Sequence, residues 1–497
     1  MNKWGGSLPN WLLALATAPM LALVFPRFNL VLLAPIALAP MLVAVARETR
    51  PWRRFLMGWS SGVLYWFFVC HWIQFVLARY AGVSGAAAWA LFTLFACAKA
   101  VHMGVFALLA GVLMRRRWWA LPAVAALWTA IEATHGFLGF AWLALGNAAI
   151  DMSLPLRLAP YTGVWGISFA LAMMSTALAL AMLRRSRVEL IWLLALPFLT
   201  FLPPLPDAHR GHETALLVQP NVSEDAEWTA ESLDRSEQEQ LTLTLRGVMI
   251  QAEQPPSMIV WPEVPEPFYY FEDSHFRSYI DNLARTTKAY MLLGIVAHTP
   301  RGAPLNSAVL VSPEGVPVSR YDKVNLVPFG EFVPWPFAAI VNKVSTEAGD
   351  FAAGHQAVVS PVNGHKIGTF ICYESVFPNF VRQFAAGGAE VLFNISNDGW
   401  FGNSAARYQH LQLVRMRAVE NRRWILRSTN DGISATIDSS GRLRGGLPLH
   451  VQATSYTGFT YISDQTFYTR HGDWFAWLCG VVAIACLATT RRAKRQA

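Results

Sequence analysis

The sequence predicts a two-part molecule: a multi-pass α-helical membrane bundle of about eight transmembrane helices, interrupted by one polar α/β domain. Three observations predict it. Apolar residues make up 54% of the 497 and mean hydropathy is +0.32, too apolar for an ordinary soluble chain. Charge is segregated: residues 206–473 hold 21 Lys+Arg against 28 Asp+Glu, a net of −7, whereas the remainder holds 19 against 4, a net of +15. The middle segment alternates short β-rich runs with polar, helix-like stretches.

Seven apolar stretches precede residue 205, at roughly 10–26, 29–46, 55–77, 86–114, 118–134, 162–183 and 188–203, and an eighth covers 474–490. Several fall short of the ~20 residues that span a bilayer upright, so tilt or kinking is expected. No small-residue cleavage site follows the first stretch, which is therefore read as a retained helix. The expected domains are 1–205 (seven membrane helices), 206–473 (the α/β domain) and 474–497 (the last helix and a basic tail). A cytoplasmic N-terminus places fifteen Lys and Arg in inside loops (Lys3; Arg47, Arg50, Arg53, Arg54; Arg115–Arg117; Arg184, Arg185, Arg187; Arg491, Arg492, Lys494, Arg495) against Arg27, Arg79 and Arg157 outside. That bias orients both termini inward and residues 206–473 outward, on the periplasmic side of a bacterial inner membrane. The basicity thus reads as topology, and no nucleic-acid partner is expected.

The β-rich runs of the middle segment are Ala215–Val218, Met258–Trp261, Met291–Ala297, Ala308–Val311, Ile367–Tyr373, Val391–Ile395 and Trp424–Ser428. Pro203–Pro206 reads as the hinge where the chain leaves the membrane. Of five cysteines, at 70, 97, 372, 479 and 486, Cys372 alone lies in this domain. No CxxC pair or zinc-ligand spacing occurs, so no metal and no cofactor is expected.

Three strand ends carry chemically useful groups. The run Ile367-Gly-Thr-Phe-Ile-Cys372 reads as a buried strand that turns at the cysteine toward a helix, exposing the thiol at the apex with backbone N–H groups beyond it. A thiol of ordinary pKa is mostly protonated at neutral pH and needs a base or cation nearby. Met258-Ile-Val-Trp-Pro-Glu263 ends in a carboxylate, and Ser319-Arg-Tyr-Asp-Lys323 ends in an ammonium. Active groups of α/β sheets gather beyond the carboxyl ends of strands, so the three can converge. Singly, each has a plainer reading: a core cysteine, a turn acid, a solvated lysine. His410 tempts as a base but is expected to be a structural histidine on a helix.

These segments resemble known families. Trp261-Pro262-Glu263, Tyr321-x-Lys323 followed by Leu326-Val-Pro-Phe-Gly-Glu331, and Cys372-Tyr373-Glu374 look like the catalytic segments of the nitrilase (carbon-nitrogen hydrolase) superfamily. The PFGEFVP core within Lys323–Pro334, the run Ser396-Asn-Asp-Gly-Trp-Phe-Gly402 and the preceding membrane helices resemble the apolipoprotein N-acyltransferase family along essentially the whole chain. The resemblance implies a nitrilase-like αββα sandwich and a ping-pong transfer. A phospholipid would donate an acyl group to Cys372, and the thioester would pass it to the α-amine of a lipoprotein's N-terminal diacylglyceryl-cysteine. It further implies Glu263 as base and Lys323 as oxyanion partner, with Glu331, Glu374, Tyr373 and Trp228 in supporting or substrate-binding positions.

Lipid has independent support. Phe332-Val-Pro-Trp-Pro-Phe-Ala-Ala-Ile340 is an apolar loop without strand period, suited either to dip into a membrane surface or to pack in a core. Lys99, His102 and Glu132 are costly at bilayer depth and are expected to face partners or water inside the bundle. Two other readings stay open: a membrane-tethered nitrilase-type amidase with water as acceptor, and a non-catalytic membrane scaffold. Serine-hydrolase, zinc-protease and nucleotide-binding motifs are absent.

Overall fold

The computed structural model describes residues 8–80, 82–115, 117–207, 211, 213–226, 228–250, 254–264, 266–328, 330–332 and 351–495. The apolar loop expected after Glu331 lies outside the described residues beyond Phe332. Two compact units result: residues 1–75, 84–205 and 471–497 form one, residues 76–83 and 206–470 the other.

The first unit is helical. Among the described residues two helices, Gly85–Leu113 and Val164–Met182, are long and apolar enough to cross a membrane; the pair Pro51–Cys70 and Trp72–Tyr80, bent by 60°, makes a third if it is one span. Leu8–Leu23 and Trp474–Thr490 are shorter apolar helices. Two expected stretches are broken. The second yields a 3-10 turn, Val31–Leu33, and a nine-residue helix Ala39–Arg47 that starts with a proline in its first turn, where the missing N–H costs nothing. The seventh forms the 3-10 helix Arg187–Phe201, with Pro197 inside, a residue that cannot donate to a regular α ladder. Close packing elsewhere rests on small residues: a Cβ added at Gly58 would lie 2.4 Å from Ala107 Cβ and from the Met103 carbonyl oxygen, so glycine lets two helices approach backbone to backbone.

The costly polar groups of this bundle find partners inside it. Lys99 Nζ donates to the Phe140 carbonyl at 2.8 Å and sits 5.5 Å from the Trp66 ring centroid. His102 stacks on His135 at 3.9 Å, and Glu132 Oε1 accepts from Leu145 N at 2.7 Å. All four line one cavity of about 50 Å³.

The second unit is a two-sheet sandwich. One sheet runs in the order β12-β1-β2-β3-β4-β5: Ala453–Phe459, Glu213–Gln219, Met258–Val260, Tyr290–His298, Pro304–Val311 and Pro317–Asp322. The other runs β11-β10-β9-β8-β7-β6: Leu443–Gly446, Ala435–Ile437, Ile425–Thr429, Val391–Ser396, His365–Ile371 and Val359–Val362. Each sheet has three neighbouring parallel strands, β1-β2-β3 and β7-β8-β9, flanked by antiparallel ones. Helices Ala230–Ile250 and Ser274–Thr287 pack on the first sheet, Pro378–Ala386 and Ala406–Asn421 on the second, as burial of both faces of parallel strands requires. The sheets meet where the Ser428 hydroxyl, on β9, donates to the carbonyls of Val218 and Val260 at 2.8 and 3.2 Å. The core of the first sheet is rich in aromatic side chains, with Trp261, Phe268, Tyr270 and Phe276 at 0–1% exposure.

Candidate active site

The carboxyl ends of β2, β5, β7 and β8 carry the polar groups of the site. After β2 the chain turns through Trp261-Pro262 and buries Glu263 at 5% exposure. The turn lies against Gly294 of β3, where an added Cβ would meet the Pro262 carbonyl oxygen and Val264 N at 2.6 Å; only glycine permits that approach. β5 delivers Lys323, 1% exposed, and holds it by Lys323 N to the Asn306 carbonyl at 2.8 Å.

The lysine is the hub. Its Nζ donates to Glu263 Oε1 and Glu331 Oε1, each at 2.9 Å, and Asn306 Nδ2 donates to the same two oxygens at 2.8 and 2.6 Å. Glu263 Oε2 accepts from Asn397 N at 2.9 Å, and Glu331 Oε2 from Val327 N at 2.7 Å. Burial opposes the ammonium charge, yet Glu263 and Glu331 hold Lys323 well above its ordinary value.

Cys372 follows β7 directly, 6% exposed, with φ +47°, a left-handed conformation sparsely populated by residues with a Cβ and concentrated at functional turns. Burial pushes its thiol well above the usual range and Glu263 pushes the same way, whereas Lys323 pulls it down. Two residues on, Glu374 is fully buried and ties the cysteine turn to the lysine loop. Its Oε1 accepts from Tyr321 Oη at 2.6 Å, Val324 N at 2.8 Å and Asn325 N at 3.1 Å, and its Oε2 from Ile371 N at 2.7 Å. Burial raises this carboxyl to about 7 against those donors.

The structure thus joins Glu263, Lys323 and Glu331 by direct hydrogen bonds, sets Cys372 within electrostatic reach of the first two, and gives Glu374 a bracing position. Tyr373 is 4% exposed and packs edge-on against Phe377 at 5.5 Å. Trp228, 37% exposed ahead of the helix Ala230–Ile250, has no hydrogen bond to this cluster among the described residues. Asn306 was not legible as a site residue, because nothing in its local sequence marks a side-chain amide that reaches two distant carboxylates, and Asn397, although inside the Ser396–Gly402 run, contributes through its backbone N–H. Behind the cysteine, a sulfur, a carboxylate oxygen and a ring nitrogen from Cys372, Asp398 and His410 lie within 4.8 Å of one another. That donor set suits a metal in type, but Asp398 already accepts from Arg427 at 2.6 Å and His410 at 2.9 Å, which marks a hydrogen-bonded ion network. Burial would raise the Asp398 carboxyl; Arg427 and His410 instead hold it well below the usual carboxylate range.

Comparison with known proteins places these features in a family. The Carbon-nitrogen hydrolase family profile matches residues 217–466, and that of the Apolipoprotein N-acyltransferase N-terminal domain matches residues 17–177. The chain is 33% identical to the apolipoprotein N-acyltransferase of Geobacter metallireducens, covering 97% of this chain and 96% of that protein, and 33% identical to that of Azotobacter vinelandii, covering 98% and 97%. Among solved structures, an amidase from Nesterenkonia sp. is similar at a TM-score of 0.39 and 19% identity, covering 54% of this chain and 98% of that one. The chain therefore belongs to the apolipoprotein N-acyltransferase family, with a nitrilase-like α/β domain.

Proposed function

We propose that this protein is a phospholipid-dependent apolipoprotein N-acyltransferase working through Cys372, Glu263 and Lys323. The observation that carries the reading is the buried lysine held by two carboxylates, with both Lys323 and Glu263 acting on one thiol at the strand ends. Glu263 takes the proton from Cys372 Sγ, and the sulfur attacks the ester carbonyl carbon of the donor. The carbonyl π pair moves to oxygen, and Lys323 with a backbone N–H beyond Cys372 stabilises that oxyanion. Collapse breaks the ester C–O bond; the departing lysophospholipid oxygen recovers the proton from Glu263, leaving an acyl thioester. The α-amine of a diacylglyceryl-cysteine then attacks the thioester, Glu263 accepts the amine proton, and Cys372 leaves as sulfur that regains it. Glu331 and Asn306 aim the lysine, Glu374 braces the turn, and Tyr373 and Trp228 serve substrate binding.

The helical unit supplies the lipid. We place residues 1–205 and 474–497 in a bacterial inner membrane as about eight spans, with both termini cytoplasmic and residues 206–473 periplasmic. Large apolar side chains exposed on that unit, such as Leu32 and Phe201 at 80% and Ile484 at 69%, support lipid contact. The test supplies the purified full-length protein with phospholipid and a synthetic diacylglyceryl lipopeptide. Triacylated lipopeptide is expected; free fatty acid without it identifies a hydrolase that uses water, and neither product identifies a scaffold.

A further inference from the structure

His410 lies on the helix Ala406–Asn421 at 0% exposure, and its two ring nitrogens face different groups. Nε2 is 3.0 Å from the carbonyl oxygen of Cys372, and Nδ1 is 2.9 Å from Asp398 Oδ1. A carbonyl oxygen only accepts, so Nε2 carries a proton and donates it. Asp398 in turn is gripped by the Arg427 guanidinium at 2.6 Å and the Ser396 hydroxyl at 2.9 Å. Arg427 also donates to Asn394 Oδ1 and lies 3.2 Å from His410 Nδ1. Asn394 and Ser396 lie on β8, Asp398 in the 3-10 turn Asp398–Phe401 that follows it, Arg427 on β9 and His410 on a helix, so a network drawn from four elements stands behind the one contact of His410 to that carbonyl.

That carbonyl belongs to the peptide linking Cys372 to Tyr373. A trans peptide is planar, with its C=O and N–H pointing in opposite directions. Whatever holds the Cys372 carbonyl therefore also sets where the Tyr373 N–H points. The cysteine is in the left-handed region, a conformation that persists only when its surroundings over-determine it. We propose that Asp398 and His410 form a positioning pair: by holding the Cys372 carbonyl, His410 keeps the turn in place and aims the Tyr373 N–H at the oxyanion formed on the acyl group. The inference rests on Cys372 being the nucleophile, and it assigns His410 no proton transfer.

The test measures acyl-thioester formation by purified full-length protein in micelles of phosphatidylethanolamine and phosphatidylglycerol with labelled acyl chains. H410F removes the donor and is expected to lower the rate at saturating lipid by about 10²–10³-fold, the cost of losing one oxyanion donor, with the apparent KM for lipid changed less than threefold. H410Q, whose amide N–H can reach the same carbonyl, is expected to recover at least tenfold of that loss. D398N is expected to lower the rate at constant KM, because the ring loses its anchor. A wild-type rate in folded H410F overturns the proposal, as does equal impairment of H410F and H410Q. Where H410F does not fold, a folded D398N with the wild-type rate overturns it equally. Absence of thioester in the wild type would instead refute the acyl-transfer reading on which the pair depends.

Discussion

Lys323 and Glu263 form an ion pair sealed inside the α/β unit, Nζ to Oε1 at 2.9 Å with side-chain exposures of 1% and 7%. A second carboxylate, Glu331, meets the same Nζ at 2.9 Å. Burial pushes the Cys372 thiol up and Glu263 pushes it further, against the pull of Lys323, so the proposed acylation route relies on Glu263 to remove the thiol proton when a donor carbonyl is in place.

Glu263→Gln separates charge from base. It is expected to lower acyl transfer by about 10²–10⁴-fold, the usual worth of a general base. It also removes a negative neighbour that raises the Cys372 thiol, so iodoacetamide alkylation of Cys372 should shift to lower pH. A variant that alkylates only at higher pH would contradict this electrostatic assignment.

Lys323→Met leaves Glu263 and Glu331 buried without their cation. Breaking such a pair from one side costs about 3–5 kcal/mol, visible as a lowered unfolding midpoint. In the double variant Lys323→Met/Glu331→Gln part of that loss should return, since one uncompensated carboxylate is gone. Strict additivity of the two substitutions would count against a shared site.

Gly294→Ala changes no reactive group, yet its methyl would press on the Pro262 carbonyl and Val264 N from 2.6 Å. Displacing Glu263 by an ångström is expected to cost about 10²-fold in acyl transfer. Normal turnover in this variant would show that the position of the turn is not critical.

Glu374 sets a pH dependence. Burial raises its carboxyl to about 7, above the unfolded value of ~4.3, so the folded state favours the protonated form. Its stabilising share is fully present below ~4.3 and is lost as pH rises through about 7. Thermal unfolding of Glu374→Gln should therefore show a shallower fall in stability over that window than the wild type; an unchanged slope would rule this group out as a source.

Much of the α/β unit was legible because its central strands are buried on both faces and read as apolar runs, as at Met258–Val260 and Val391–Ser396. The outer strands escaped: Leu443–Gly446 is largely exposed and Val359–Val362 half so, and neither carries a continuous apolar signal. Glu263, Lys323 and Cys372 stood out as polar groups ending such runs. Asn306 did not, since its role arises from contacts with carboxylates distant in sequence. His410 was read as structural; its contact with the Cys372 carbonyl spans 38 residues, a relation no local pattern encodes. In the helical unit, hydropathy located the apolar stretches but not their breaks, which depend on prolines such as Pro197 and on packing.

The most direct measurement is mass spectrometry of the purified protein after exposure to phospholipid without acceptor. The expected result is one added acyl chain on the peptide containing Cys372, released by hydroxylamine, lost when a diacylglyceryl lipopeptide is added, and absent in folded Cys372→Ala. An acyl chain carried elsewhere, or triacylated product made by the alanine variant, would contradict the thioester route.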